Sequence, residues 1–422
     1  MFKPRFYYTF GLWLLLPYVF FHLLWRARKQ REYLHHIGER FGRYAVRCEK
    51  PVIWLHSVSV GETRAIVTLV QSLRIRYPDH QILLSHTTPT GRAASEQLFG
   101  EDVIRVYLPY DYPFAVERFL RHFRPQVGVL METEIWFNLI HACHNESIPL
   151  LLLSARLSDK SANNYARFPR LVRAGLRELS LVAAQTEGDA MRLADFCNRA
   201  VPVMGNLKFD IVPPPAMLEL GKRLRVMFGE QRPVLLAAST REGEEALLLD
   251  ALQHAEIERL LVVIVPRHPQ RFDEVAALIE QHGLSMQRRS ANEPVSARTQ
   301  FVLGDSMGEM FAYYAACDIA FIGGSLLPLG GQNLIEACAV GTPVLIGPYT
   351  YNFAQATEMA VADGAAMQIN HADDLVHQLN ILLHDPLQLA RMGEAGRQFV
   401  NSNQGATEGA VRLIALAVNH AL

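Results

Sequence analysis

The sequence predicts an α/β protein with two parallel-sheet domains behind an apolar N-terminal helix, and three observations carry that prediction. Short apolar runs alternate with helical patterns from 51 to 205, and the alternation restarts from 234 to 346. Between the two series stands Asp210-Ile211-Val212-Pro213-Pro214-Pro215. Three consecutive prolines continue neither a helix nor a central strand, so this is a semi-rigid linker. Ahead of both series, residues 6–25 carry no charge over twenty positions. At 422 residues the chain exceeds one ordinary core, so two or three domains are expected.

Residues 6–25 are long enough to span a bilayer core, with Tyr and Trp near both ends as interface anchors. Lys3 and Arg5 precede the segment, and Arg26, Arg28, Lys29 and Arg31 follow it. The larger cationic cluster on the C-terminal side places the domains in the cytoplasm, beneath the cell inner membrane. No small-residue cleavage site follows, which argues against a cleaved signal peptide. Pro17 and His22 suit a helix lying in the interface equally well, so both placements stay open. Residues 1–50 hold a net charge of +7 in a chain of −1 overall. This charge sits beside an apolar segment rather than over a folded domain, which argues against a nucleic-acid partner.

In the first series the strands fall at 52–55, 81–85, 103–107, 126–130, 148–153, 181–184 and 201–203. In the second they fall at 234–238, 261–265, 301–303, 319–322 and 344–346, with helices at 242–254, 270–282, 307–316 and 333–339. Strands alternating with helices imply parallel sheets covered on both faces, which is a Rossmann-like plan. The chain thus divides into an anchor at 1–30, a domain at 31–212, a second at 213–403, and a last segment at 404–422. A ligand is expected in the cleft between the domains. The five cysteines are far apart and no Cys/His cluster has metal-ligand spacing, which fits buried thiols in a reducing compartment.

Chemistry is expected at the carboxyl ends of the strands. Glu62 follows the first strand in His56-Ser-Val-Ser-Val-Gly-Glu62 and opens a helix. A carboxylate there either complements the helix dipole or takes a proton from a substrate hydroxyl. Glu132 and Glu134 follow the strand 126–130, and Lys208 lies in Gly205-Asn-Leu-Lys208 near the linker, where it could face a departing anion. In the second domain, Gly323-Gly324-Ser325 and Gly330-Gly331-Gln332-Asn333 flank a helix start whose amides suit a phosphate, with Glu336 one turn inside. Arg267, after Pro266, is a phosphate or base contact candidate. The segment 305–309 reads as a helix cap or a nucleobase contact.

Nine segments together carry a resemblance: HSVSVGET, TTPTGR, YLPYD, METEIW, ARLSDKS, GNLKFD, VPRHP, GDSMGEM and GGSLLPLGGQNLIEACAVGTPVLIGP. In this order, behind an apolar N-terminus, they resemble the 3-deoxy-D-manno-octulosonic acid (Kdo) transferase family of lipopolysaccharide synthesis, over nearly the whole chain. The resemblance implies the GT-B fold, two Rossmann-like domains facing a central cleft, whose last helix crosses back to the first domain. It implies inverting transfer of Kdo from the donor CMP-Kdo to a lipid A precursor, with no metal and no other cofactor. By resemblance Glu62 is the general base, and Glu132 and Lys208 stabilise the transition state. Pro266, Arg267, Met307, Gly308, Glu309, Asn333, Leu334, Ile335 and Glu336 contact CMP. Phe137 stands where the family has proline, and Gln332 where it often has histidine, which bears on local geometry. Another GT-B enzyme using a UDP-sugar, and a non-catalytic nucleotide-binding module, are the competing readings. The sequence carries no signal for oligomeric state.

Overall fold

The computed structural model describes residues 4–29, 31–255 and 257–419. Lys3 and the other predicted anchor residues at 1–3 and 30, and 420–422 of the last segment, lie outside the described residues. The chain forms two units, Met1–Asp210 together with Gln404–Leu422, and Ile211–Asn403.

The first unit holds six strands: β1 Val52–His56, β2 Gln81–His86, β3 Ile104–Tyr107, β4 Pro125–Met131, β5 Leu150–Ala155 and β6 Leu181–Ala184. All pair in parallel, in the order β3-β2-β1-β4-β5-β6. Side chains alternate across a strand, so a strand covered on both faces reads as one unbroken apolar run. Accordingly Val52 and Trp54 enter one core, while Ile53 and Leu55 enter the other. Trp54 donates its indole N–H to Ser85 Oγ at 2.7 Å, which satisfies its polar end inside the core. Gly128 on β4 must lack a side chain, because a Cβ there would lie 2.6 Å from the Trp54 ring.

The predicted strand at 201–203 does not form; Val203 makes only an isolated parallel bridge to Ala184. Pro202 accepts from the Ala184 amide but has no N–H to return, so the ladder stops there.

The second unit holds seven strands: β7 Val234–Thr240, β8 Leu261–Pro266, β9 Met286–Arg288, β10 Phe301–Leu303, β11 Ile319–Ile322, β12 Val344–Ile346 and β13 Ala366–Gln368. They too are parallel, in the order β13-β12-β11-β7-β8-β10-β9. Both strands absent from the sequence reading, β9 and β13, are three-residue edges.

The final helix, Ala406–Val418, belongs to the first unit, where Ala410, Ile414 and Ala417 join the core beside Ile53 and Leu55. Its first amides need acceptors, and its own N-cap, Gly405, has no side chain to offer. Asp210 fills the gap: Oδ1 accepts from Gly405 N at 2.7 Å and Oδ2 from Thr407 N. A carboxylate at a helix N-terminus also complements the dipole. Asp210→Ala is therefore expected to cost about 1–2 kcal/mol and to quicken amide exchange across 406–418. Denaturant unfolding with hydrogen exchange checks this; unchanged exchange in that helix would show that the cap is idle.

Candidate active site

In the first sheet the chain runs outward from β1 in one direction and from β4 in the other, so the helices after these strands cover opposite faces. The crevice at such a reversal opens between the loops after the two strands, at their carboxyl ends. Glu62 lies in the first turn of the helix that follows β1, and Glu132 directly follows β4.

Glu62 is set by its own helix start. Ser59 caps the helix Val60–Ala65, its Oγ accepting from Glu62 N at 3.3 Å. The Glu62 carboxylate folds back, Oε2 accepting from Val58 N at 2.8 Å and Oε1 from Ser59 Oγ at 3.1 Å. This is a capping-box arrangement shifted one residue outward. Partial burial pushes the Glu62 carboxyl above the ordinary range, and the charges of Glu132 and Glu134 push it the same way. The Val58 N–H and His56 pull it down without prevailing. Beneath the loop, buried His86 is pushed down to about 3 by desolvation and stays neutral. Its Nδ1 lies 2.9 Å from Ser57 O, so the ring donates there and supports the turn.

Glu132 adopts φ +56, a left-handed backbone unusual for a residue with a side chain. Its Oε1 lies 2.9 Å from Lys208 Nζ, and Oε2 lies 3.7 Å from an Arg156 guanidinium nitrogen. Lys208 is presented by the short turn Leu207–Phe209, capped by Asn206 Oδ1. Thus Glu132 and Lys208, 76 residues apart, form one ion pair. Arg156 adds a second cation, so the cluster carries one net positive charge. Glu134 accepts from Trp136 Nε1 at 2.8 Å and faces His56 Nε2 at 3.7 Å. The reading from sequence assigned no role to Arg156. The signal was present, because Arg156 ends the apolar run of β5 as Arg267 ends that of β8.

In the second unit the candidate residues follow β8, β10 and β11, the first two adjacent and β11 separated from β8 by β7. Pro266 closes β8, and Arg267 donates its backbone N–H to Thr240 O at 2.9 Å and its Nε to Gln332 Oε1 at 3.2 Å. Gln332 thus sits against Arg267. Asn333 links to Glu336, its Nδ2 to Oε1 at 3.2 Å, and accepts from Ile335 N at 3.0 Å. Leu334 and Ile335 are buried, which leaves only their backbone for a ligand. The helix spans Ile335–Val340, later than predicted, because Gly331 N and Gln332 N are held by Gly324 O and Gly323 O. Met307 is exposed and Gly308 has φ +82, which delays the next helix to Met310–Ala316. Asp305 is not its cap; it accepts instead from Ser290, at 2.8 Å from the backbone N and 2.6 Å from Oγ. Glu309 accepts from Ser306 Oγ at 2.6 Å and pairs with Arg289 at 3.4 Å.

The first glycine pair does not itself offer amides to a phosphate; the helix-start amides expected to do so are a separate set, at 333–336. Buried Glu244 accepts from Gly324 N at 2.5 Å, Ser325 N at 2.9 Å, Leu326 N at 3.0 Å and Arg241 N at 2.9 Å. Four donors fit a carboxylate as they would a phosphate, so the loop is an anion cradle filled from within.

Residues 35–211 match the model of the 3-deoxy-D-manno-octulosonic-acid transferase (kdotransferase) family, and residues 246–399 match glycosyl transferases group 1. A 3-deoxy-D-manno-octulosonic acid transferase of Bordetella pertussis is 42% identical over 416 residues, 95% of this chain and 96% of that protein. One of Haemophilus influenzae is 35% identical over 417 residues, 97% and 98% of the two chains. The crystal structure of a glycosyltransferase from Rickettsia africae matches with TM-score 0.59 at 15% identity, over 88% of this chain and 99% of that one. At that identity it bears on the fold alone, which is GT-B. With relatives this similar along nearly their whole length, the chain belongs to the 3-deoxy-D-manno-octulosonic acid (Kdo) transferase family of glycosyltransferases.

Proposed function

We propose that this protein transfers Kdo from CMP-Kdo to a hydroxyl of a lipid A precursor, lipid IVA, at the cytoplasmic side of the inner membrane, with inversion at the anomeric carbon. The observation that carries the reading is the pairing at the β1/β4 reversal: a carboxyl with a raised pKa, Glu62, beside the Glu132–Lys208–Arg156 cluster. The names of the relatives supply the sugar. The donor and acceptor are the ones that the family resemblance implies.

An acceptor hydroxyl is a poor nucleophile until its proton is removed. Glu62 takes that proton as the oxygen attacks the anomeric carbon. Its raised pKa makes it a better proton acceptor than an ordinary carboxylate, and the Val58 and Ser59 bonds fix its direction. The leaving group is CMP, which departs with negative charge on phosphate. Lys208 and Arg156 outnumber the carboxylate between them, so they supply positive charge without a metal ion. Glu132 holds Lys208 in place and offers negative charge to the oxocarbenium character of the sugar. Arg267 and the backbone around Asn333–Glu336 bind the nucleotide.

Transfer to lipid IVA in detergent, with CMP-Kdo generated in place and EDTA present, tests the reading by mass spectrometry. Product heavier by Kdo units is expected regardless of EDTA. Glu62→Gln should lower kcat/KM roughly 100- to 10,000-fold while CMP still raises the melting temperature. Lys208→Met should cost about 100-fold or more. Stabilisation by UMP or UDP but not CMP would favour a UDP-sugar enzyme, and full activity in Glu62→Gln would remove the proposed base.

The pH dependence has a definite sign. Only ionised Glu62 accepts the proton, so kcat/KM falls as pH falls through its pKa. Because that pKa is raised, the fall begins above the usual carboxylate range near 4.3. Glu134→Gln removes one neighbouring charge and should move the acidic limb to lower pH. A limb that stays put would show that Glu134 does not act on the base.

A further inference from the structure

The N-terminal helix Pro4–Lys29 is apolar all round, which from sequence fits a helix that crosses the bilayer. The structure shows that it has two faces. Tyr8, Leu12, Leu16, Val19, Leu23 and Ala27 recur every three or four residues on the sheltered side. Phe10, Leu14, Tyr18, Phe21 and Trp25 recur on the other side and are exposed.

The helix start is fastened to the first unit. Tyr8 donates its hydroxyl to Asp111 Oδ2 at 2.8 Å, and Thr9 Oγ1 donates to Asn138 Oδ1 at 2.8 Å. Tyr112 donates to Leu12 O at 2.8 Å, and the Tyr8 ring meets Phe137 edge-on at 5.1 Å. Asp111 is itself fixed by the amides of Asn138 and Leu139, at 3.0 and 2.8 Å. The helix end packs on the turn that follows it, where Leu23 and Ala27 are buried and Arg26 lies over the Tyr33 ring at 5.4 Å. Ten residues after Lys29 the chain is back on the same unit. There Glu39 accepts from Tyr107 N at 2.7 Å and pairs with Arg92 at 2.8 Å. The chain between makes a helical turn, Arg31–Leu34. A crossing helix needs its two ends separated by about 30 Å of hydrocarbon. Here the helix start and the chain ten residues past the helix end are both held by one folded unit.

We propose that this helix is monotopic: its exposed apolar stripe enters one leaflet of an anionic bilayer, and both its ends stay on the side of the globular units. The partner is a lipid surface, and charge argues for it. Arg26, Arg28 and Arg31 are exposed at one end of the stripe. At the other end a groove of about 930 Å³ opens beside the helix start, where Arg5, Arg121 and Arg124 outnumber Glu117 and Glu146 next to Phe6 and Leu120. Cations flanking an apolar face suit anionic headgroups above acyl chains. The inference rests on the membrane reading given above and decides between its two placements.

Its test uses the full chain with an N-terminal epitope tag, in spheroplasts and in inverted inner-membrane vesicles, with protease added to each. Digestion of tag and globular units from the same side is expected. Digestion from opposite sides would overturn the monotopic placement while keeping the membrane reading. A chain that does not sediment with membranes, or with phosphatidylethanolamine–phosphatidylglycerol vesicles, would overturn both. The variant carrying F10S, L14S and F21S changes exposed residues only and should bind those vesicles about tenfold or more weakly. Unchanged binding, with self-association through the stripe, would assign the face to a second copy of this chain instead.

Discussion

The reversal of strand order between β1 and β4 is the constraint from which the site follows. A parallel sheet needs a crossover after each strand, and each crossover is right-handed. The helix after β1 and the helix after β4 therefore pack on opposite faces, and the loops leading to them part at one place on the sheet edge. Residues 62 and 132 are 70 positions apart in sequence and share that place because β1 and β4 pair directly, His56 opposite Leu130. The unbroken apolar runs that build the strands thus also decide where two carboxylates meet. Gly128 belongs to the same constraint, since only a residue without a side chain lets β4 lie beside the Trp54 ring.

Within that frame, the local chemistry of Glu62 is a balance. An acid in the first turn of a helix accepts amide bonds, and the Val58 bond alone would lower its pKa. Burial and two further acids outweigh this. The same two acids do not leave the crevice strongly negative, because Glu132 is matched by Lys208 and Arg156. Helix-start geometry and a raised pKa are therefore compatible. The bonds orient the carboxylate, and the surroundings set its affinity for a proton.

The strands were legible wherever a run was apolar and buried, as at 52–55, 181–184, 301–303 and 319–322. The edges β9 and β13 were not, because Met286-Gln287-Arg288 and Ala366-Met367-Gln368 are partly polar and incompletely buried, unlike the equally short 301–303. The triplet 201–203 looked like a strand by composition and failed on the missing N–H of Pro202. Among site residues, the positions of Glu62, Glu132 and Arg267 at strand ends could be read from order alone. The contact of Lys208 with Glu132 could not, since it depends on how the turn Leu207–Phe209 is carried over the sheet edge. The N-terminal helix shows the limit most plainly. Both its faces are apolar, one for protein and one for solvent or lipid, and composition cannot separate them.

The filled cradle in the second unit was hidden for a related reason. Glycines after β11 announced an anion site, and the fold does place an anion there. It is the carboxylate of Glu244, delivered from across the β7/β11 reversal. Because it is buried with four amide donors, its removal would strand all four without partners. A second anion brought to the same amides would have to displace it or share the space against its charge. A nucleotide phosphate on this unit is therefore better matched by a side-chain cation than by the glycine amides. Arg267 stands at the end of the neighbouring β8, held in position by Gln332 from the loop that Glu244 orders. Glu244 thus fixes the loop whose Gln332 holds Arg267, the nucleotide contact proposed above, and the cradle is a structural element of this unit.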